Sequence, residues 1–144
     1  MIRKFESRDL DAVMQIWLEG NLDAHAFIQA SFWTGHFETV RDMLPQAELY
    51  VHEDKDTQQI DGFIGLTENH IEGIFVAESA RSKGVGKALL EYVKALKPSL
   101  TLSVYQKNER ALAFYQREQF VVHSEGIDED TNEAEIQMLW TRQA

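Results

Sequence analysis

The chain has 144 residues, 44% of them hydrophobic and 26% charged, which is the balance and length of one ordinary globular domain. It contains no cysteine, so disulfides, thiolate metal sites and a cysteine nucleophile are excluded. The formal net charge of -10 disfavours nucleic-acid binding, and no apolar run reaches the roughly 20 residues of a membrane span. Because the first stretch is also too polar for a signal peptide, we predict a single cytoplasmic domain over residues 1–144.

The first third of the chain predicts a short strand followed by two helices. The opening MIRKF alternates apolar and polar residues, which predicts a strand, and Ser7 or Asp9 can cap the helix that follows. Helical spacing relates the apolar residues of that helix, which are Leu10, Val13, Met14, Trp17 and Leu18. After an irregular aromatic segment, a second helix is predicted over residues 34–44, ending before Pro45.

The remainder predicts strands interrupted by two amphipathic helices. AELYVHED, IDGFIGLTEN and HIEGIFVA predict a meander of three strands, and a helix is predicted over residues 85–96. SLTLSVY predicts a strand, and NERALAFYQRE predicts a helix capped by Asn108. FVVHSEG and EAEIQMLW predict a closing antiparallel pair. This order indicates an α/β (α+β mixed) fold, a mixed sheet with helices on its faces.

Two glycines and three basic residues mark the segment RSKGVGKALL, at the start of the helix over residues 85–96. Glycines let backbone amides close around a phosphate, and a helix N-terminus favours an anion. A Walker loop would need glycine in place of Arg81 and a hydroxyl side chain in place of Ala88, so it is excluded. A dinucleotide fingerprint would need glycine or alanine in place of Leu89 and a position after the first strand, which argues against that alternative.

A third pattern accounts for the longer stretch IFVAESARSKGVGKALLEYVK. A strand, a short link and R-x-x-G-x-G opening a helix resemble the pyrophosphate loop of the GNAT superfamily of N-acetyltransferases. The later stretch VYQKNERALAFYQREQF resembles a second motif of that family, V-x-x-x-N-x-x-A-x-x-F/L-Y-x-x-x-G-F. Its matching positions are Val104, Asn108, Ala111, Phe114, Tyr115 and Phe120.

The chain departs from the family pattern at two positions. Glu78 stands where proline is common, and Gln119 stands where the second motif has glycine. The helix end at Gln119 must therefore either adopt a left-handed conformation at some cost or turn differently.

The resemblance implies the GNAT fold, a central, mixed, mostly antiparallel twisted sheet of about seven strands with four helices on its faces. It also implies transfer of an acetyl group from acetyl-coenzyme A (acetyl-CoA) to a primary amine, without a metal. In that family the fourth and fifth strands splay apart around the pantetheine, and the glycine loop holds the diphosphate. The residues that the resemblance assigns to acetyl-CoA binding are Ile74, Phe75, Val76, Arg81, Ser82, Lys83, Gly84, Val85, Gly86, Lys87, Asn108 and Tyr115.

The resemblance also assigns roles in the chemistry. Tyr115 matches the tyrosine that protonates the departing thiolate, and a free phenol, with a pKa of about 10, carries that proton at neutral pH. His70 stands where one branch of the family has a glutamate base, and Glu72 lies two residues on, hence on the same face of a strand. Ser103 occupies the fifth-strand position where some protein-acetylating members carry glutamate. His70 and Glu72 are therefore the candidate bases, against the alternative that they are ordinary surface residues.

The acceptor is less defined by the sequence. In the family the first helices roof the acceptor site, which implies substrate contacts for His25, Phe27 and Trp33. Aromatic rings can clasp an alkyl amine and attract its ammonium group, although the same residues can instead form a small core. The acceptor is either a protein lysine or N-terminus or a small amine, and a homodimer is an open alternative to a monomer. The alternative hypotheses are a non-catalytic protein that senses acyl-CoA and an acyltransferase that uses another acyl group.

Overall fold

The computed structural model describes residues 1–142. Within them, the elements in chain order are β1 (Ile2–Lys4), α1 (Leu10–Ala24), α2 (Ala30–Met43), β2 (Glu48–Glu53), β3 (Ile60–Thr67), β4 (His70–Val76), α3 (Val85–Leu96), β5 (Ser99–Tyr105), α4 (Glu109–Arg117), β6 (Val121–Asp128) and β7 (Glu133–Thr141). Short 3-10 turns cover Ser7–Asp9, Leu44–Gln46 and Glu78–Ala80. The predicted α/β fold, with strands and helices in this order, is confirmed.

One seven-stranded sheet runs through the described chain in the order β1-β2-β3-β4-β5-β7-β6. Every neighbouring pair is antiparallel except β4 and β5, which run parallel. The meander β2-β3-β4 follows from its two short connections, whereas α3 provides the crossover that a parallel pair requires. The mixed, mostly antiparallel sheet that was expected is therefore confirmed.

Apolar layers cover both faces of the sheet. α3 and α4 pack on one face, where the buried side chains include Leu89, Leu90, Leu102, Phe120 and Met138. α1 and α2 pack on the other face, where the buried side chains include Val13, Met14, Trp17, Val51 and Phe63. The sheet is therefore buried on both faces and forms the centre of the core.

The N-terminal helices differ from the prediction in two details. α2 begins at Ala30 and ends at Met43, so part of the segment expected to be irregular is helical. Asp9 stands at the N-cap position of α1, but its side chain makes no capping hydrogen bond to that helix. Its carboxylate is buried and accepts hydrogen bonds from the Arg3 guanidinium at 2.8 and 3.0 Å and from the Glu6 amide at 2.8 Å. The sequence could not distinguish these roles, because the ion pair joins strand β1 to the turn before α1.

Gln119, where the family pattern has glycine, takes the left-handed conformation with a φ of +73°. Its amide donates to the carbonyl of Gln116 at 3.1 Å, and the amide of Phe120 donates to Tyr115 at 2.9 Å. Of the two alternatives for this helix end, the structure therefore shows the left-handed one, which is strained for a residue with a Cβ.

Candidate active site

Strands β4 and β5 separate after a short paired stretch. They pair only at His70 with Thr101 and at Ile71 with Leu102, although each strand has seven residues. Beyond Ile71, β4 remains paired to β3 on its other side as far as Val76. The backbone of β4 from Gly73 to Val76 therefore keeps an edge without a strand partner, which can receive the hydrogen bonds of an extended ligand.

This opening leads into a cleft of about 1090 Å³ that reaches from the roof of α1 and α2 to the first turn of α3 and to α4. Of the residues assigned to acetyl-CoA from the sequence, those that line the cleft are Ile74, Phe75, Val76, Arg81, Ser82, Gly84, Val85, Gly86, Lys87, Asn108 and Tyr115. Lys83 is exposed and does not line it. An elongated cleft with a glycine loop at one side fits a long ligand that carries a phosphate group.

The glycine loop has the geometry of an anion site. Gly84 has a φ of +83°, and a Cβ added there would meet no atom within 4 Å, so its conformation and not its space demands glycine. The first hydrogen bond of α3 runs from the Ala88 amide to the Gly84 carbonyl at 2.9 Å. The amides of Val85, Gly86 and Lys87 precede it, so they lie at the positive end of the helix dipole with no helical partner.

Two basic side chains border this loop, and both are held by carboxylates. Arg81 forms an ion pair with Asp23 of α1, and its Nε lies 3.4 Å from the carbonyl oxygen of Val76. Lys87 lies 3.4 Å from the carboxylate of Glu118. Arg81, which the resemblance assigns to acetyl-CoA binding, therefore also links the glycine loop to helix α1.

Tyr115 lies on α4 and is only 8% exposed, yet it lines the cleft. Burial raises the pKa of its phenol above the usual value of 10. No group among residues 1–142 hydrogen-bonds its hydroxyl, so the proton is available to a ligand in the cleft. A protonated hydroxyl at this place has the state that a general acid needs at neutral pH.

Asn108 caps α4, as predicted, because its Oδ1 accepts from the amide of Ala111 at 3.3 Å. Its Nδ2 lies 3.2 Å from Nε2 of His25. The other ring nitrogen of His25, Nδ1, lies 3.0 Å from Oδ1 of Asn21. Burial lowers the pKa of His25 to about 4. His25 is therefore neutral at physiological pH, and protein groups already occupy both of its ring nitrogens.

The two candidate bases, His70 and Glu72, line the cleft near the end where β4 and β5 are still paired. Nδ1 of His70 lies 2.9 Å from Oγ1 of Thr101, and no described residue hydrogen-bonds its Nε2. Glu72 is the extra residue of a β-bulge, since Leu66 pairs with Ile71 while Gly65 pairs with Gly73. Glu72 is exposed at this bulge, and it lines the same cleft as His70.

The aromatic roof was predicted to contact the acceptor, and only part of it does line the cleft. His25 stacks on Trp33, with ring centroids 5.4 Å apart, and both residues line the cleft. Phe27 does not line it, and its ring packs instead against His25 and Tyr105 at 5.7 Å. The indole Nε1 of Trp33 is a buried donor without a partner in the described chain, which is uncommon.

Sequence reasoning missed one carboxylate of the cleft, Glu135, because strand pairing brings it there. Glu135 lies on β7 directly opposite Tyr105 of β5, and Asp128 accepts a hydrogen bond from the Tyr105 hydroxyl at 2.6 Å. Both line the cleft, and burial together with the charge of Asp128 raises the pKa of Glu135. Glu135 thus supplies a carboxylate opposite the end of β5, whereas Gln137 is the residue opposite Ser103. Its position in the printed sequence gives no sign of this, because the two strands are about 30 residues apart.

Two further features bear on the class of site. Among residues 1–142, no group of three or more His, Cys, Asp or Glu side chains is arranged to hold a metal ion. No helix in that part of the chain has both the length and the apolar character needed to cross a membrane.

Sequence relatives connect this geometry to a reaction. Residues 45–122 match the family model described as the acetyltransferase (GNAT) domain. The peptidyl-lysine N-acetyltransferase YiaC of Escherichia coli K12 is 38% identical over 122 residues, which cover 83% of this chain and 82% of YiaC. The peptidyl-lysine N-acetyltransferase YjaB of the same strain is 31% identical over 121 residues, 84% of this chain and 82% of YjaB.

Solved structures agree with the sequence relatives. The solution structure of apo YjaB from Escherichia coli superposes with a TM-score of 0.86 at 28% identity, covering 96% of this chain and 95% of YjaB. A protein described as a streptothricin acetyltransferase from Bacillus anthracis strain Ames, solved with acetyl coenzyme A, has a TM-score of 0.59 at 26% identity, covering 67% and 62% of the two chains. The chain therefore belongs to the GNAT family of acetyltransferases, which agrees with the expected use of acetyl-CoA.

Proposed function

We propose that this protein transfers the acetyl group of acetyl-CoA to the ε-amino group of lysine residues in other proteins. The observation that carries the proposal is the parting of β4 and β5 after Ile71, because it joins a phosphate-type loop and a carboxylate-lined end in one cleft. The two bacterial relatives described above, both peptidyl-lysine N-acetyltransferases, support lysine as the acceptor class.

The donor side of the cleft has the groups that acetyl-CoA requires. The amides from Val85 to Lys87 offer donors to the diphosphate, and Arg81 and Lys87 add positive charge beside them. The unpaired edge of β4 between Ile74 and Val76 offers backbone hydrogen bonds to the pantetheine amides. We assign the second N–H of the Asn108 carboxamide to the same ligand, since the first faces His25.

The chemistry is a direct attack. The lone pair of the amine nitrogen attacks the thioester carbonyl carbon, a C–N bond forms, the C–S bond breaks, and the thiolate leaves. Tyr115 gives its phenolic proton to that sulfur, and a base takes the proton that the amine loses. We assign the base to His70, whose Nε2 has no partner in the described chain. Glu72 and Glu135, which line the same cleft, are the alternative bases.

The acceptor side is acidic, which suits an ammonium group. Glu72, Asp128 and Glu135 line the cleft, and no described Lys, Arg or His nitrogen lies within ion-pair distance of them. The chain as a whole carries a formal net charge of -10. Opposite charge raises the rate at which a basic peptide reaches such a cleft, and salt weakens the effect.

The cytoplasmic location and the homodimer stay predictions.

An acceptor screen tests the proposal through the free thiol that each transfer releases. The substrates are lysine peptides with blocked N-termini, the same peptides with Nε-acetyl-lysine, peptides with a free N-terminus and no lysine, and small amines. We expect turnover with the first set and none with the second. Turnover confined to small amines or to N-termini would contradict lysine as the acceptor, and coenzyme A binding without any thiol release would favour the sensor alternative.

A further inference from the structure

A chain of four hydrogen bonds crosses the cleft from the roof to the donor side. The Asn21 Nδ2 group donates to the Trp17 carbonyl at 2.9 Å, and Asn21 Oδ1 lies 3.0 Å from His25 Nδ1. His25 Nε2 lies 3.2 Å from Asn108 Nδ2, and Asn108 Oδ1 accepts from the Ala111 amide at 3.3 Å. The third bond joins residues 83 positions apart, so it links α1 to the N-terminus of α4.

The backbone ends of this chain fix the direction of every bond in it. A backbone carbonyl only accepts, so Asn21 must turn its NH₂ group to Trp17 and its oxygen to His25. A backbone amide only donates, so Asn108 must turn its oxygen to Ala111 and its NH₂ group to His25. His25 therefore has to donate through Nδ1 and accept through Nε2, which is possible only for the neutral ring with its proton on Nδ1.

The surroundings of His25 hold the ring in that state and in that orientation. The ring stacks on Trp33 at 5.4 Å, and it forms T-shaped contacts with Tyr105 and Phe27 at 5.0 and 5.7 Å. Asn21, which receives the Nδ1 proton, is only 2% exposed. A buried polar network in which every member is paired is rigid, and the loss of one member leaves its neighbour without a partner.

We propose that His25 is a positioning residue of the acetyl-CoA site. As a neutral imidazole it accepts one N–H of Asn108, holds the carboxamide at the start of α4 and leaves the other N–H for the donor. The same bond ties the roof over the acceptor to the helix that carries Tyr115. The inference rests on the proposed function, because it is the donor that the second N–H serves.

A double-mutant cycle on coenzyme A binding tests the proposal. We expect His25→Ala and Asn108→Ala each to weaken the affinity for coenzyme A about fivefold to tenfold, and the double variant to bind about as weakly as Asn108→Ala alone. His25→Gln, whose amide oxygen can replace Nε2 as acceptor, should stay within about twofold of wild type. The matched control is His36→Ala on the exposed side of α2, which should bind normally.

The proposal would be overturned if the double variant lost affinity for coenzyme A by the product of the two single losses. Normal coenzyme A binding by His25→Ala would overturn it as well. If the wild type fails to bind coenzyme A, the proposed function fails instead, which keeps the two failures separate. A second readout covers variants that fold poorly: the ring-nitrogen chemical shifts of His25 in the wild-type protein. The Nδ1-protonated tautomer supports the proposal, and the Nε2-protonated tautomer would overturn it.

Discussion

The Nδ1 atom of His70 lies 2.9 Å from Oγ1 of Thr101, at the first of the two residue pairs that still join β4 to β5. This contact holds the ring where the two strands are still paired, beside the cleft that His70 lines, and Nε2 has no partner in the described chain. The ring is therefore held in place by β5, the strand that separates from β4 to form the cleft. A proton acceptor fixed in this way can meet an amine without reorganising.

His70→Gln is expected to lower kcat about 100-fold, because general-base catalysis contributes roughly that much or more. The KM for acetyl-CoA should change little, since the ring is not part of the donor loop. Steady-state kinetics with a lysine peptide measure both constants. His123→Gln, on the exposed edge strand β6, is the matched control. If Glu135→Gln lowers kcat by that factor while His70→Gln does not, the base is Glu135.

Gly84→Glu is expected to abolish coenzyme A binding, because the new carboxylate would stand beside the diphosphate and the position has a φ of +83°. The left-handed conformation alone costs a residue with a Cβ about 1–2 kcal/mol. Gly84→Asn separates the two effects, since asparagine tolerates this conformation and adds no charge. Calorimetry should find weakened but measurable binding for Gly84→Asn, and wild-type affinity in Gly84→Glu would contradict the assignment of the loop.

Tyr115→Phe is expected to leave acetyl-CoA binding nearly unchanged and to lower kcat, because it removes a proton and little volume. Burial raises the pKa of Tyr115 above 10, so the phenol keeps its proton up to and beyond that pH. The kcat of the wild type should therefore show no alkaline fall from this group between about pH 8 and 10. Equal turnover by the two proteins would remove Tyr115 from the chemistry.

His25 predicts a specific dependence of stability on pH. Its pKa is lowered from 6.5 to about 4 by burial, so between these values the unfolded chain binds more protons than the folded one. The stabilisation from a neutral His25 is complete above about pH 6.5, decreases as the pH falls towards 4, and changes little below that. Melting temperatures across this range should fall more steeply for the wild type than for His25→Gln. Parallel curves would contradict the lowered pKa.

The ion pair between Arg3 and the buried carboxylate of Asp9 predicts a large effect far from the cleft. Arg3→Met leaves the buried Asp9 carboxylate with only the Glu6 amide as a partner, which we expect to reduce the free energy of unfolding by about 2 kcal/mol. Arg8 pairs with Glu6 on the surface, so Arg8→Met should cost less than about 0.5 kcal/mol. Urea unfolding measures both, and similar losses in the two variants would contradict the role of burial.

The sequence by itself determined the order of the elements and the donor loop, because both depend on neighbours in the chain. The helix over residues 85–96 and the cap at Asn108 follow from local spacing and local hydrogen bonds, and the structure places both as expected. The glycine at position 84 is a local requirement of the same kind, since its φ of +83° is a property of one residue.

Only the tertiary structure decided which polar groups meet across the sheet. Glu135 stands beside Tyr105 because β7 pairs with β5, and His25 faces Asn108 because α1 packs over the cleft. The bulge at Glu72 likewise depends on how β4 registers with β3. Such contacts join residues far apart in the chain, and their register is set by the packing of the whole sheet, so no local pattern predicts them.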